Sequence, residues 1–147
     1  MKDQDYIYVT YIKAPAEKIW EALTTPAFTR LYWFDIDVSS DWKVGSPVSY
    51  LKNGKTLVDG KVLEAKRPKL LSYTFREVGT EASHEPHTKV TIELEPEAGT
   101  ETVRLTVVHS DFVANSKHRP SISQGWPAVL SGLKSLLETG KALEFES

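Results

Sequence analysis

The sequence predicts an α+β fold: one strand, two short helices, a meander of antiparallel strands, then a long closing helix. Three observations predict it. Apolar residues alternate with period two in successive runs between residues 48 and 109, and turn formers separate the runs. Ahead of them, Ala16, Ile19, Trp20 and Leu23 follow a helical period, and after them Trp126, Val129, Leu130, Leu133, Leu136 and Leu137 form a wide apolar stripe. A sheet with one apolar face needs a cover, and only this last stripe is long enough, so the helix is expected to lie across the sheet.

Taken in order, Tyr6 to Ile12 is rich in β-branched and aromatic residues and reads as the first strand. Pro15 fits the opening turn of an amphipathic helix whose other face carries Glu17, Lys18 and Glu21, and Pro26 ends it. A second helical segment is expected over Ala27 to Phe34, where Phe28, Leu31, Tyr32, Trp33 and Phe34 are too dense for a solvated loop. Val48 to Leu51 and Leu57 to Leu63 flank Lys52-Asn53-Gly54-Lys55, and an Asn-Gly pair supplies the positive φ angles of a tight hairpin. Leu70 to Arg76 alternates Tyr73 and Phe75 with Ser72, Thr74 and Arg76. Val90, Ile92 and Leu94 repeat the pattern, as do Val103, Leu105, Val107 and His109, with a turn over Pro96 to Thr100. Gly79 to His87 is a polar connection, expected to be the mobile one. The final helix is expected to begin near Ser123 to Trp126, with Pro127 in its first turn, and to close at Gly140.

The 147 residues correspond to one domain, 1–147, with 40% hydrophobic and 26% charged residues, a composition that excludes global disorder. Eighteen Lys plus Arg against twenty Asp plus Glu leave a net charge of -2, so no overall field favours nucleic acid or an anionic membrane. The absence of cysteine removes disulfides, thiolate nucleophiles and Cys-type metal sites. The polar start and the lack of an apolar run of membrane-spanning length make a cytoplasmic protein without membrane insertion the expectation.

Four segments carry a resemblance. Ala14-Pro15-Ala16-Glu17-Lys18-Ile19-Trp20-Glu21-Ala22-Leu23-Thr24, the Trp33 segment, Leu105 to Phe112, and Gly125-Trp126 with its Leu-spaced helix together resemble the activator of heat-shock-protein-ninety ATPase homologue family, in the START-like (SRPBCC) superfamily. The resemblance runs over nearly the whole chain, and the implied type is the bacterial single-domain member. It implies a helix-grip fold, a curved antiparallel sheet wrapped around the C-terminal helix with a cavity between them. It also implies binding of a small hydrophobic molecule, lipid-like or an aromatic polyketide or flavonoid. The eukaryotic namesakes act on a chaperone and carry a further N-terminal domain, for which 147 residues leave no room. A chaperone contact is therefore an alternative role, and an enzyme acting on a bound apolar metabolite is a third.

The candidate ligand-binding residues are Trp33, Phe34, Tyr50, Tyr73, Phe75, His109, Phe112, Trp126 and Leu130, because pockets are lined by apolar and aromatic side chains with a few polar groups. Tyr73 and Trp126 each add a hydrogen-bond donor. His109 shares the face of Val103, Leu105 and Val107, where three readings stand: a structural histidine, a ligand contact or a group that transfers a proton. Trp20 reads as core and Trp42 as a strand or loop edge. No catalytic residue, metal or cofactor is assigned. His109-Ser110-Asp111 is a poor triad, since neighbouring strand residues face opposite ways. His84-Glu85-Pro86-His87 reads as a solvated loop, because Pro86 opposes the helix a metal motif would need. The clusters Lys66, Arg67, Lys69 and Lys117, His118, Arg119 read as solvated surface.

Overall fold

A computed structural model describes residues 2–145. Seven antiparallel strands form one sheet in the order β1-β7-β6-β5-β4-β3-β2, with β1 Tyr6–Ile12, β2 Asp37–Ser39, β3 Pro47–Lys52, β4 Lys55–Lys66, β5 Leu70–Glu77, β6 Thr88–Pro96 and β7 Val103–Ser110. Two short helices, α1 Ala16–Thr24 and α2 Pro26–Tyr32, follow β1, and the long α3, His118–Thr139, closes the chain. This is the helix-grip arrangement, a curved sheet around a C-terminal helix.

The strands follow their alternation. On β7 the side chains of Val103, Leu105, Val107 and His109 are buried, and on β6 so are those of Thr88, Val90, Ile92 and Leu94. Ser72 departs from the expected wet face of β5: it is buried, and its hydroxyl donates to the Val90 carbonyl oxygen at 3.0 Å. The β3–β4 turn is the expected one, with Asn53 at φ 53° and Gly54 at φ 77°. Gly60 on β4 is required by a close approach: a Cβ there would lie 1.8 Å from the Thr74 carbonyl oxygen on β5.

The largest departures from expectation are two helix boundaries and one unexpected strand. The second helix ends at Tyr32 rather than Phe34, because Phe34 and Asp35 adopt positive φ angles of 51° and 60° and turn the chain towards β2. The strand β2 itself is three residues long, too short to show a period. The last helix begins at His118, about two and a half turns ahead of Pro127, which therefore sits in its interior. Its start is organised by Ser116, whose hydroxyl oxygen accepts the amides of His118 at 3.0 Å and Arg119 at 3.2 Å, while Pro120 occupies the first turn, where no amide is needed. The polar 79–87 connection contributes as well: it forms a 3-10 turn over Glu81–His84, and Glu85 then accepts from the Ser116 hydroxyl and the Lys117 amide, both at 2.7 Å.

At its far end α3 is tied to β1. Glu138 accepts from the Lys13 amide at 2.8 Å and from Lys134 Nζ at 2.7 Å, and Lys134 also donates to the Tyr11 carbonyl oxygen. Gly132 lets α2 come close, since a Cβ there would stand 3.2 Å from the Tyr32 carbonyl oxygen. Trp20 is in the core as expected. Trp42 lies between β2 and β3, donates its indole N–H to the Thr24 carbonyl oxygen at 2.9 Å and turns an edge to Tyr73. Among the described residues, no helix is long and apolar enough to cross a membrane.

Candidate functional site: an aromatic cleft beside the closing helix

The inner faces of β4 and β5, the turn after α2 and the N-terminal half of α3 enclose an open cleft of about 280 Å³. Its wall is mostly apolar, with Trp33 and Phe34 from the turn, Val58 and Phe75 from the sheet, and Ile122, Trp126 and Val129 from the helix. Gly125 completes the helix side, and a Cβ added there would touch nothing within 4 Å. A glycine inside a helix costs about 1 kcal/mol relative to alanine, and here its missing side chain widens the cleft. A larger depression of about 680 Å³ lies where the other ends of β1 and β7 meet α3, but no aromatic residue lines it.

Of the nine sequence-predicted residues, Trp33, Phe34, Phe75 and Trp126 line the cleft. The other five, Tyr50, Tyr73, His109, Phe112 and Leu130, form a fully buried layer behind it. Trp33 links the two layers, with ring centroids 4.9 Å from Tyr50 and 5.4 Å from Trp126. The Tyr50 and Tyr73 hydroxyls bond to each other at 2.6 Å, and burial holds both phenols above their ordinary pKa, so they remain neutral.

His109 anchors a directional chain of hydrogen bonds. The Trp126 indole N–H donates to Nδ1 at 3.1 Å. With Nδ1 accepting, the proton of the neutral ring sits on Nε2, which donates to Thr88 Oγ1 at 2.7 Å, and the Thr88 hydroxyl donates on to the Phe75 carbonyl oxygen at 2.8 Å. Burial, reinforced by the neighbouring charge of His118, pushes the His109 pKa down to about 2. A neutral imidazole with both nitrogens engaged orients Trp126 and has no proton to exchange with a ligand. Ser110 and Asp111 form no triad with it.

Two polar residues outside those nine, Glu77 and His118, sit at one corner of the cleft. His118, read as part of a solvated cluster, is 2% exposed. Its Nδ1 pairs with Glu77 Oε2, and its Nε2 is buried without a hydrogen-bond partner. Burial raises the Glu77 pKa, but the hydrogen bonds and charge of His118, with a bond from the Thr80 hydroxyl at 3.1 Å, bring it below the ordinary value, so Glu77 is a carboxylate. A signal for both residues existed. Glu77 continues the inward alternation of Tyr73 and Phe75, and His118 stands one and two turns before Ile122 and Trp126 on the apolar stripe. The His84–His87 motif does not converge on a metal: His87 Nε2 stands 2.9 Å from Asp59, while Glu85 caps α3. Among the described residues no cluster of three metal-ligating side chains occurs.

The family model described as Activator of Hsp90 ATPase homolog 1-like protein matches residues 13–138. The chain belongs to this family. The Activator of Hsp90 ATPase homolog 1-like assignment agrees with the structural neighbours. A solution structure described as the Aha1 dimer from Colwellia psychrerythraea is 26% identical, with a TM-score of 0.77 over 95% of this chain and 100% of that one. An HSP90 activator from Plasmodium falciparum, 16% identical, shares the fold at a TM-score of 0.76, covering 92% of this chain and 96% of that one. DynU16, from the dynemicin biosynthetic locus, is 22% identical at a TM-score of 0.78 over 97% of this chain and 50% of its own. No curated protein matches the sequence.

Proposed function

We propose that this Activator of Hsp90 ATPase homolog 1-like chain binds a small hydrophobic molecule, lipid-like or of the aromatic polyketide or flavonoid kind, without transforming it. The observation that carries the proposal is the open cleft of about 280 Å³ with Trp33, Phe34, Phe75 and Trp126 in its wall. Desolvating apolar surface at roughly 25 cal/mol per Å² supports micromolar binding once immobilisation costs are subtracted. Two features favour binding over catalysis. His109 is locked between Trp126 and Thr88, and His118 Nε2, the nitrogen a general base would use beside Glu77, is itself buried.

Gly125 supplies the test. A Gly125→Leu variant directs a side chain into open space, so a panel of sterols and flavonoid-like aromatics that causes saturable shifts at the Trp126 indole of the parent is expected to lose at least tenfold in affinity. The melting temperature is expected to hold or rise, because the helix loses an interior glycine. Unchanged binding in the variant would place the ligand elsewhere.

A second reading, contact with a chaperone, is favoured by the outer face of the edge strand β1. There Ile7, Val9 and Tyr11 are 61%, 46% and 48% exposed and stand beside Val108, Thr106 and Arg104 of β7. On this reading, Val9→Glu abolishes association with a heat-shock-ninety chaperone in sedimentation while leaving small-molecule binding intact, and equal sedimentation of parent and variant counts against it.

A further inference from the structure

We propose that the cleft selects molecules with an apolar body of about two fused rings and a hydroxyl head, and that Glu77 receives the head as a hydrogen-bond acceptor. The proposal rests on the binding function given above and names the class of ligand.

Apart from the indole N–H groups of Trp33 and Trp126, the polar side chains that line the cleft belong to one corner. Glu77 and Thr80 come from the end of β5 and the turn after it, and His118 and Ser121 from the first turn of α3. Glu77 is the one carboxylate among the lining residues, and neither lysine nor arginine lines the cleft. Its side chain keeps 17% of its surface. One oxygen is engaged by His118 and the other by Thr80, and a carboxylate has about four acceptor sites, so acceptor capacity remains for a ligand.

The second observation is the cost at which that carboxylate is held. The His118 ring is stacked on Phe75 at 5.3 Å and meets the edge of His109 at 5.1 Å, and its Nε2 is buried with no partner. A nitrogen left unsatisfied in this way is a penalty to folding. The one polar contact of the ring is with Glu77, so the penalty is incurred to fix the orientation of Glu77 in the cleft. His118 is a positioning residue and Glu77 the ligand contact.

The sign of the head group follows. His118, the one lining group that can carry positive charge, is already paired with Glu77 through Nδ1, so an anionic head would meet the carboxylate with no unpaired lining cation to offset it, whereas a hydroxyl donates to it. The volume sets the body: about 280 Å³ is close to twice the ~150 Å³ of a cavity that accepts benzene.

Three probes that share one ring system, naphthalene, 2-naphthol and 2-naphthoate, decide the matter by titration of the parent protein observed at the Trp126 indole. The expected ranking is naphthol about tenfold tighter than naphthalene, as suits one buried hydrogen bond to a prepared acceptor, with naphthoate weakest. In Glu77→Gln, which keeps the shape and offers an amide donor, the ratio between naphthol and naphthoate is expected to shrink at least fivefold. Equal affinities for naphthol and naphthalene, or naphthoate as the tightest ligand, would overturn the proposal while leaving the cleft a binding site. Failure of all three probes would remove the binding function and this proposal with it. The ranking in the parent protein stands as a test even where the variant does not fold.

Discussion

Gly60→Ala is expected to destabilise the protein by about 3 kcal/mol or more, the upper range for overpacking and beyond an ordinary surface change. The new Cβ would fall 1.8 Å from the Thr74 carbonyl oxygen and 2.5 Å from its carbonyl carbon, and both are backbone atoms that no side-chain rotation can move aside. Relief requires β4 and β5 to separate. The same neighbourhood is bonded by Lys61 N–H to Thr74 Oγ1 at 2.9 Å, so separation also costs a hydrogen bond. Thermal unfolding followed by circular dichroism is expected to show a melting temperature lower by about 10 °C, given roughly 2–4 °C per kcal/mol for a domain near this size. A melting temperature within about 2 °C of the parent would mean that the strands yield at this point. Val58 lies two residues away in the cleft wall, so residual folded variant should also bind ligand more weakly.

The second large effect is a loss of stability in mild acid through His109. Its pKa is about 2 in the folded protein, against an ordinary value of 6.5. The unfolded chain therefore takes up a proton as the pH falls through 6.5 and the folded protein does not. The contribution is fully present above pH 6.5 and is withdrawn progressively down to about pH 2. Near the middle of that window, around pH 4.5, the loss amounts to roughly 2–3 kcal/mol at 1.36 kcal/mol per pH unit. Glu77 acts lower down: its pKa is depressed on folding, so its contribution is present above the ordinary carboxylate range and is lost as the pH drops through its folded value. Urea unfolding between pH 7 and 4.5 checks the assignment in His109→Gln, whose amide can accept from Trp126 and donate to Thr88 without titrating. The variant is expected to show a flatter dependence on pH than the parent. Parallel curves for the two proteins would show that another group carries the acid sensitivity.

Much of the fold was legible because the strands are half-buried and therefore alternate. Tyr73 and Phe75, or Leu105 and Val107, announce their face without any knowledge of their partners. Asn53-Gly54 announced its turn by backbone conformation alone. The start of α3 was hidden because its stabilising contacts are remote: Ser116 is itself held by Glu85, thirty-one residues earlier in the chain. A charged flank, Lys117 and Arg119, further disguised His118, although the helical period carries it inward. The division of the aromatic residues was hidden for another reason. Whether a ring lines the cleft, as Phe75 does, or lies behind it, as Tyr73 does, depends on how far the sheet curves away from the helix. Alternation assigns both to one face and is silent on depth.

Pro127 divides α3 into two halves with separate anchorages. A proline has no amide hydrogen to give to the carbonyl four residues earlier, here that of Ser123, so the helix has a missing rung beside the cleft-lining residues Gly125 and Trp126. The C-terminal half is riveted to β1 through Glu138 and Lys134. Bending at the missing rung breaks no backbone bond and leaves that anchorage in place. The half before the rung, which forms one bank of the cleft, is held at its own start by Ser116, by the pair of His118 with Glu77 and by Arg119 on the Gln4 carbonyl oxygen, so the rung lies between two anchored ends. Were a guest slightly wider than the resting gap to enter, bending at that rung would cost no backbone hydrogen bond, and the seven strands opposite need not part.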